Sequence, residues 1–160
     1  MIKQINKKIL FNILILIFFV IISAFVIEYK FGHKPCKLCL YERIPYFLSV
    51  FLILKILVTK GYEKITLLLL CLVFFVSSIL AFYHFGIEQG IFEESLSCFS
   101  NNLSESLSKE QILEELKQNA ISCKNVSFKI FGFSLAAINT ILSLILTAVF
   151  VKFYIDFTNY

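Results

Sequence analysis

The sequence predicts an all-α membrane protein, folded as an antiparallel bundle of four transmembrane helices with a short amphipathic helix in its second outer loop. Hydrophobic residues make up 59% of the 160 residues and charged residues only 16%, whereas an average soluble domain is about half apolar and a quarter charged. The chain has four apolar runs, each close to the ~20 residues that a helix needs to cross the hydrocarbon core. One membrane domain, 1–160, therefore accounts for the whole sequence.

The predicted spans are 9–27, 40–58, 65–85 and 131–150. The first run is interrupted only by Asn12 and Ser23, and it exceeds the ~7–15 residues of a signal-peptide core. This length favours a retained helix over a cleaved secretory signal. Lys55 lies near the end of the second run, where its charged end can reach the interface. The turn at Gly61 is short, so the second and third helices are expected to be antiparallel neighbours.

Two loops, 28–39 and 86–130, are predicted on the same side of the membrane, and they contain the four cysteines that lie outside the apolar runs. Because disulfides persist in oxidising compartments, we expect these loops outside the cytoplasm and both termini inside. The lysine distribution supports this orientation only modestly. In the longer loop, Ser108 to Gln111 fits a capping box followed by a short apolar stripe. This pattern predicts a helix that lies on the membrane surface or packs on its own loop.

Two features of the composition argue against other roles. The formal net charge is +4, but the lysines are scattered and mostly flank apolar runs, so nucleic-acid binding is not expected. The fifth cysteine, Cys71, lies inside the third run. Buried free cysteine behaves as a small apolar side chain, so Cys71 is expected to serve packing only.

The most informative motif is the pair Cys36-x-x-Cys39, where a polar loop meets the second apolar run. Such a pair can be half of a zinc site, a haem attachment site or a redox dithiol. Haem attachment needs a histidine at the position of Leu40. A four-thiolate zinc site would have to use Cys98 and Cys123, which are 25 residues apart rather than about two to four. The redox dithiol is favoured, because a helix N-terminus and nearby lysines stabilise a thiolate at Cys39, and no metal is expected.

Arg43 is the only arginine among the 15 lysine and arginine residues, and its planar fork of donors cannot be replaced by lysine. If the second helix already includes Cys39, Arg43 follows one turn later on the same face. Pro45 leaves this open, because it can lie within the helix or mark a helix start nearer Ile44. The arrangement suggests a dithiol at a membrane edge beside a group that polarises an electron acceptor.

The residues around the dithiol form the pattern Pro35-Cys36-x-x-Cys39-x-Tyr41-x-Arg43-Ile44-Pro45-Tyr46. This pattern resembles the signature of the DsbB family of bacterial membrane proteins that form disulfide bonds. The four-span layout and the cysteine pair of the long loop are similar to the family too, so the resemblance covers nearly the whole chain. A related variant, the DsbI type, has the same core fused to a large C-terminal domain, and the end of the sequence at Tyr160 favours the short form. The resemblance implies the bacterial inner membrane, with cytoplasmic termini and periplasmic cysteine loops.

What the resemblance implies is a relay between two disulfides, Cys98–Cys123 and Cys36–Cys39. A reduced periplasmic partner, a DsbA-like thioredoxin-fold protein, would attack Cys98, and Cys123 would then attack Cys36. Cys39 would be left as a thiolate beside a membrane quinone, ubiquinone or menaquinone, which accepts the electrons. Arg43 would polarise the quinone carbonyl.

Further candidates lie close to these residues in the predicted bundle. His84 and Glu88 fit a Tyr-His-x-x-x-Glu stretch that is also similar to the family. Ionisable groups near a span end are functional candidates, so His84 is expected either to serve the quinone pocket or proton transfer, or to be an interfacial histidine. Tyr41 is a candidate to line the quinone, and Glu42 a candidate either for the site or for pairing with a lysine.

Two other functions stay open at this stage. One is a reductive conduit that carries cytosolic electrons outward, which needs cysteines within the spans, where the sequence offers only Cys71. The other is a structural or metal-binding membrane protein whose cysteines are not catalytic.

Overall fold

The computed structural model describes residues 7–32, 35–59, 61–93, 123, 129–130 and 132–159. Within these ranges the chain forms four long helices, α1 (Lys7–Lys30), α2 (Lys37–Val58), α3 (Glu63–Glu88) and α4 (Leu135–Thr158). Two short strands, β1 (Lys129–Ile130) and β2 (Phe133–Ser134), pair as an antiparallel hairpin directly before α4. The prediction of an all-α membrane bundle is confirmed, and the small hairpin is an addition to it.

Three of the helices, α1, α3 and α4, are long and apolar enough by length and composition to cross a membrane. Helix α2 is nearly as long, with 22 residues, but Glu42, Arg43 and Lys55 interrupt its apolar run. Glu42 is nevertheless buried, and Arg43 pairs with a glutamate of α1. Because Glu42 and Arg43 have polar partners within the protein, α2 fits the bundle as its fourth helix.

Helix α3 packs most extensively against α4 and also against α2, and α1 packs on α2. The interior is apolar and aromatic, and the rings of Phe74 and Phe150 stack there with their centroids 5.4 Å apart. The outer surface is apolar as well: Phe19 and Phe51 are each 69% exposed. Such a surface suits contact with lipid, where apolar side chains on the outside carry no cost.

The helices differ from the predicted spans mainly at their ends. Helix α1 continues to Lys30 and α3 to Glu88, since a helix satisfies its own backbone hydrogen bonds beyond the end of an apolar run. Helix α4 begins at Leu135, a few residues after the approximate start at 131 predicted for the fourth span. Strand β2 directly precedes it, and Ser134 caps α4 by accepting a hydrogen bond from the N–H of Ala137 at 3.1 Å. Cys98 and the predicted loop helix lie outside the described residues.

Candidate thiol–disulfide site

Helix α2 begins at Lys37, so the earlier of the two predicted starts is correct and Pro45 lies inside the helix. Proline has no N–H to donate to the carbonyl four residues earlier, yet the helix continues through this point. Cys36 is the N-cap residue, and its sulfur accepts a hydrogen bond from the N–H of Cys39 at 3.4 Å. Cys39 and Arg43 are consequently one turn apart on one helix face, as predicted.

The side chains of Cys36, Cys39 and Cys123 come together at the N-terminus of α2. The Sγ atoms of Cys36 and Cys39 are 3.0 Å apart, beyond the ~2.05 Å of a disulfide bond, so the two thiols are close but not bonded in this structure. The side chain of Cys123 hydrogen-bonds to Cys36. Cys36 and Cys123 are both buried, and they share a small apolar cluster with Leu38 and Ile87. The fold therefore brings a cysteine of the long loop onto the C-x-x-C pair.

The surroundings of Cys36 favour its thiolate. Hydrogen bonds from Cys123 and then from Cys39 hold the pKa of the Cys36 thiol far below its usual range. Burial raises this pKa, but the contacts with the two thiols and with His84 outweigh it. Stabilisation by the helix terminus was predicted for Cys39, whereas the cap position in the structure belongs to Cys36.

His84 of α3 connects the thiols to a buried carboxylate. Its Nε2 atom lies 3.6 Å from Cys36 Sγ, and its Nδ1 atom lies 2.7 Å from Glu42 Oε1. The other carboxylate oxygen of Glu42 accepts a hydrogen bond from Asn139 Nδ2 at 2.6 Å. Glu42 thus pairs with a histidine and an asparagine, and not with a lysine, which was one of the two alternatives open for it. The thiol of Cys36, the imidazole of His84 and the carboxylate of Glu42 are therefore linked one after another in space. This is the arrangement that activates cysteine nucleophiles.

The hydrogen-bonded chain continues into the bundle through residues that the sequence analysis missed. Asn139 Oδ1 accepts a hydrogen bond of 2.5 Å from the hydroxyl of Tyr46. The same Tyr46 hydroxyl lies 3.3 Å from the hydroxyl of Ser143. Ser143 is in turn 3.2 Å from the hydroxyl of Ser77. The available signal was the presence of an asparagine and serines inside apolar runs, because polar groups within a span usually find partners in neighbouring helices.

Glu88 lies next to the same histidine. Its Oε1 atom is 3.9 Å from His84 Nε2, and its side chain is only 7% exposed. The Oε2 atom is buried and has no hydrogen-bond partner within the described part of the chain. His84 and Glu88, which the sequence marked as candidates, are thus neighbours one helical turn apart on α3.

Arg43 is held by α1 in this structure. Its Nη1 atom donates to Glu28 Oε2 at 2.6 Å, and its guanidinium lies over the ring of Phe25, 5.1 Å from the centroid. Both side chains of the ion pair are largely covered. Tyr41 is half exposed on the outer face of α2. Of the predicted acceptor residues, His84 therefore contacts the Cys36 thiol, Arg43 is paired with α1, and Tyr41 is exposed.

The family described as "Disulfide bond formation protein DsbB" matches residues 6–153 of the chain. The chain belongs to the DsbB family. An uncharacterized protein of Rickettsia prowazekii (strain Madrid E) is 34% identical over 148 residues, which cover 91% of this chain and 86% of that protein. No solved structure matches the chain.

Membership of the DsbB family confirms the resemblance that the motif around Cys36 indicated. It makes the chain a multi-pass membrane protein with a role in disulfide oxidation and reduction. The site is consistent with that role, since this DsbB-family chain gathers Cys39, Cys123 and the imidazole of His84 around Cys36.

Proposed function

We propose that this protein oxidises a reduced, DsbA-like thioredoxin-fold partner at the outer face of the bacterial inner membrane and passes the two electrons to a membrane quinone. The contact between Cys123 and Cys36 is the observation that carries this proposal. A relay between a loop disulfide and a disulfide at the membrane edge needs one sulfur of each pair within reach of the other. Four helices that place this contact at one end of the bundle supply that arrangement.

The relay conserves electrons at each exchange. A thiolate of the partner attacks Cys98 of the Cys98–Cys123 disulfide, which forms a mixed disulfide and releases Cys123. The Cys123 thiolate then attacks Cys36, so a Cys123–Cys36 bond forms, the Cys36–Cys39 bond breaks and Cys39 leaves as a thiolate. The second thiolate of the partner attacks the partner sulfur bound to Cys98, which releases the oxidised partner and the Cys98 thiolate. Cys98 then attacks Cys123, so the Cys98–Cys123 bond re-forms, Cys36 leaves as a thiolate, and the two electrons remain on the Cys36/Cys39 dithiol. Cys98 lies outside the described residues, and its part in these steps belongs to the proposal.

His84 and Glu42 handle the proton of Cys36. With Nδ1–H donating to Glu42, the Nε2 atom presents a lone pair toward the Cys36 sulfur, 3.6 Å away. It takes the thiol proton when Cys36 becomes a thiolate, and the Glu42 carboxylate stabilises the imidazolium that results. Asn139 holds Glu42 in place, so the proton has a fixed acceptor beside the reacting sulfur.

The outer side of α2 offers residues that suit a quinone head group. Such a group needs an apolar surface open to lipid and a donor for its carbonyl oxygen. The rings of Phe25 and Phe47, with centroids 6.4 Å apart, supply the first, and Arg43 one turn from Cys39 supplies the second. Tyr41 remains a proposed lining residue. When bound, the quinone provides a two-electron acceptor for the Cys36/Cys39 dithiol.

The test is a reconstituted turnover assay with purified protein, a reduced DsbA-type partner and either ubiquinone or menaquinone, followed by quinone absorbance. We expect no turnover in Cys39→Ala or in Cys123→Ala. Cys71→Ala is the matched control, because Cys71 is buried within α3 and belongs to the apolar core; it should retain wild-type turnover. Full activity of Cys39→Ala would refute the proposed function.

A further inference from the structure

We infer that the reduced thiol cluster is also a binding site for a thiophilic divalent metal ion such as Zn²⁺, with Cys36, Cys39 and His84 as ligands and Cys123 as the fourth. The ligand atoms of the first three residues all lie within 4.8 Å of one another, and Cys123 contacts Cys36. Metal binding at this cluster does not depend on the proposed function. Only its consequence, inhibition of the relay, depends on it.

The distances suit a tetrahedral site. Zinc binds thiolate sulfur at about 2.3 Å and imidazole nitrogen at about 2.0–2.1 Å, which places neighbouring sulfur and nitrogen ligands roughly 3.6 Å apart. The Cys36 Sγ to His84 Nε2 distance is 3.6 Å. Two sulfur ligands would be roughly 3.8 Å apart, and the Cys36–Cys39 separation of 3.0 Å reaches this value by small rotations of the two side chains.

The imidazole already has the outer partner that metal-binding histidines have. Ligating histidines usually donate their second ring N–H to a carboxylate, which fixes the tautomer and raises the basicity of the ligand. Here Nδ1 of His84 is 2.7 Å from Glu42 Oε1, and Glu42 is fixed by Asn139 at 2.6 Å. The Nε2 atom is thereby directed at the sulfurs as a lone-pair donor.

The charge around the cluster favours a cation. Two carboxylates, Glu42 and Glu88, lie against His84 in a buried setting. The Oε2 atom of Glu88 is buried without a hydrogen-bond partner among the described residues, and a buried carboxylate oxygen is costly unless positive charge compensates it. A divalent ion bound to His84 Nε2 would supply that charge at the nitrogen atom that lies 3.9 Å from Glu88 Oε1.

Binding is restricted to the reduced protein. The metal takes thiolates as ligands, so each thiol that binds releases one proton, and no electron is transferred. A Cys36–Cys39 disulfide removes two of the ligands. Conversely, a bound ion occupies the lone pairs through which Cys36 and Cys39 would react. The site therefore acts as a block on the relay that only reduced protein can acquire.

The experiment uses Co²⁺ as a spectroscopic probe of the full-length, detergent-purified protein under anaerobic conditions. Fully reduced protein should bind about one Co²⁺ per chain, with thiolate-to-cobalt charge-transfer bands and the intense visible bands of a tetrahedral site, and Zn²⁺ should displace it. Protein oxidised at Cys36–Cys39 should show neither. Because this comparison needs no variant, it is decisive even where a substitution impairs folding.

Variants locate the ion. Cys36→Ser and His84→Ala should weaken Co²⁺ binding at least tenfold, and Glu42→Gln about 10- to 100-fold through the outer partner. Cys71→Ser is the matched control and should leave the spectrum unchanged. Equal binding by reduced and oxidised protein, or wild-type binding by Cys36→Ser, would overturn the inference. A failed turnover assay with an intact Co²⁺ spectrum would instead overturn only the proposed function.

Discussion

The contact of Cys123 with Cys36 can be tested by the ionisation of Cys36. Hydrogen bonds to a charged group contribute about 1.5–3 kcal/mol each, and about 1.4 kcal/mol corresponds to one pH unit in a titration. The contact from Cys123 is the largest influence that lowers the pKa of Cys36. Replacing Cys123 by alanine should thus move the midpoint of Cys36 ionisation upward by roughly one to two pH units.

The sign follows from the direction of the pKa change. A thiol whose pKa is lowered is a thiolate above that pKa and loses its charge as the pH falls through it, so loss of a stabilising contact makes the charge disappear at a higher pH. The measurement is the ultraviolet absorbance of the thiolate in reduced protein, titrated in chelator-treated buffer. The absorbance of Cys36→Ser in the same background is subtracted to isolate Cys36.

The control for this titration is Cys71→Ala, which should leave the midpoint unchanged. If Cys123→Ala also left the midpoint of Cys36 ionisation unchanged, Cys123 would not contact Cys36 in the reduced protein. The proposed exchange between these two sulfurs would then be refuted. Circular dichroism of each variant checks that the helices are intact.

Three further changes probe other parts of the site. Glu28→Gln removes the ion pair that holds Arg43, which frees the guanidinium for the quinone. Such a pair contributes about 0.2–1 kcal/mol, so the KM for quinone should fall by up to about fivefold with kcat unchanged, measured in the turnover assay. Tyr46→Phe leaves Asn139 Oδ1 without its donor and should lower the free energy of unfolding by about 1–3 kcal/mol, measured by denaturation in detergent. Glu42→Gln turns an amide N–H₂ toward one of the two donors, His84 Nδ1 or Asn139 Nδ2. We therefore expect the free energy of unfolding to fall by about 1.5–3 kcal/mol in the same measurement.

Each of these changes has a matched control. Arg43→Lys removes the planar fork and should raise the quinone KM, opposite to Glu28→Gln; a decrease in both variants would contradict the role given to Arg43. Tyr62→Phe alters an exposed tyrosine and Glu63→Gln an acidic residue in the first turn of α3, and both should leave stability within about 0.5 kcal/mol. If these two controls lowered the free energy of unfolding as much as the changes at Tyr46 and Glu42 do, the loss of stability could not be attributed to the buried hydrogen bonds.

The helices and the dithiol could be predicted because both leave local patterns in the sequence. An apolar run of about 20 residues is enough to predict a span, and Cys36, Cys39 and Arg43 lie on consecutive turns at the start of α2. The start of that helix was open only because Pro45 permits two solutions, and the cap formed by Cys36 decides between them.

The partners of Glu42 could not be predicted in the same way. They lie 42 and 97 positions away in the sequence, on two other helices, and their contact depends on how each helix is rotated about its axis. Helices that are apolar on all sides have no amphipathic stripe to reveal that rotation. For the same reason the attachment of Arg43 to Glu28 on α1 was missed, although the two residues are only 15 positions apart.

The polar chain from Glu42 through Asn139 and Tyr46 to Ser143 and Ser77 has a consequence for assembly in the bilayer. Lipid is as apolar as the helix surfaces, so it gives little preference for one rotational setting of a helix over another. Hydrogen bonds join α2, α3 and α4 in a single network. A helix rotation that turned one of these polar side chains toward lipid would break its hydrogen bond and is therefore disfavoured. The residues that tune the reacting thiol thus also fix how three helices fit together, and a substitution that alters the chemistry will tend to loosen the bundle with it.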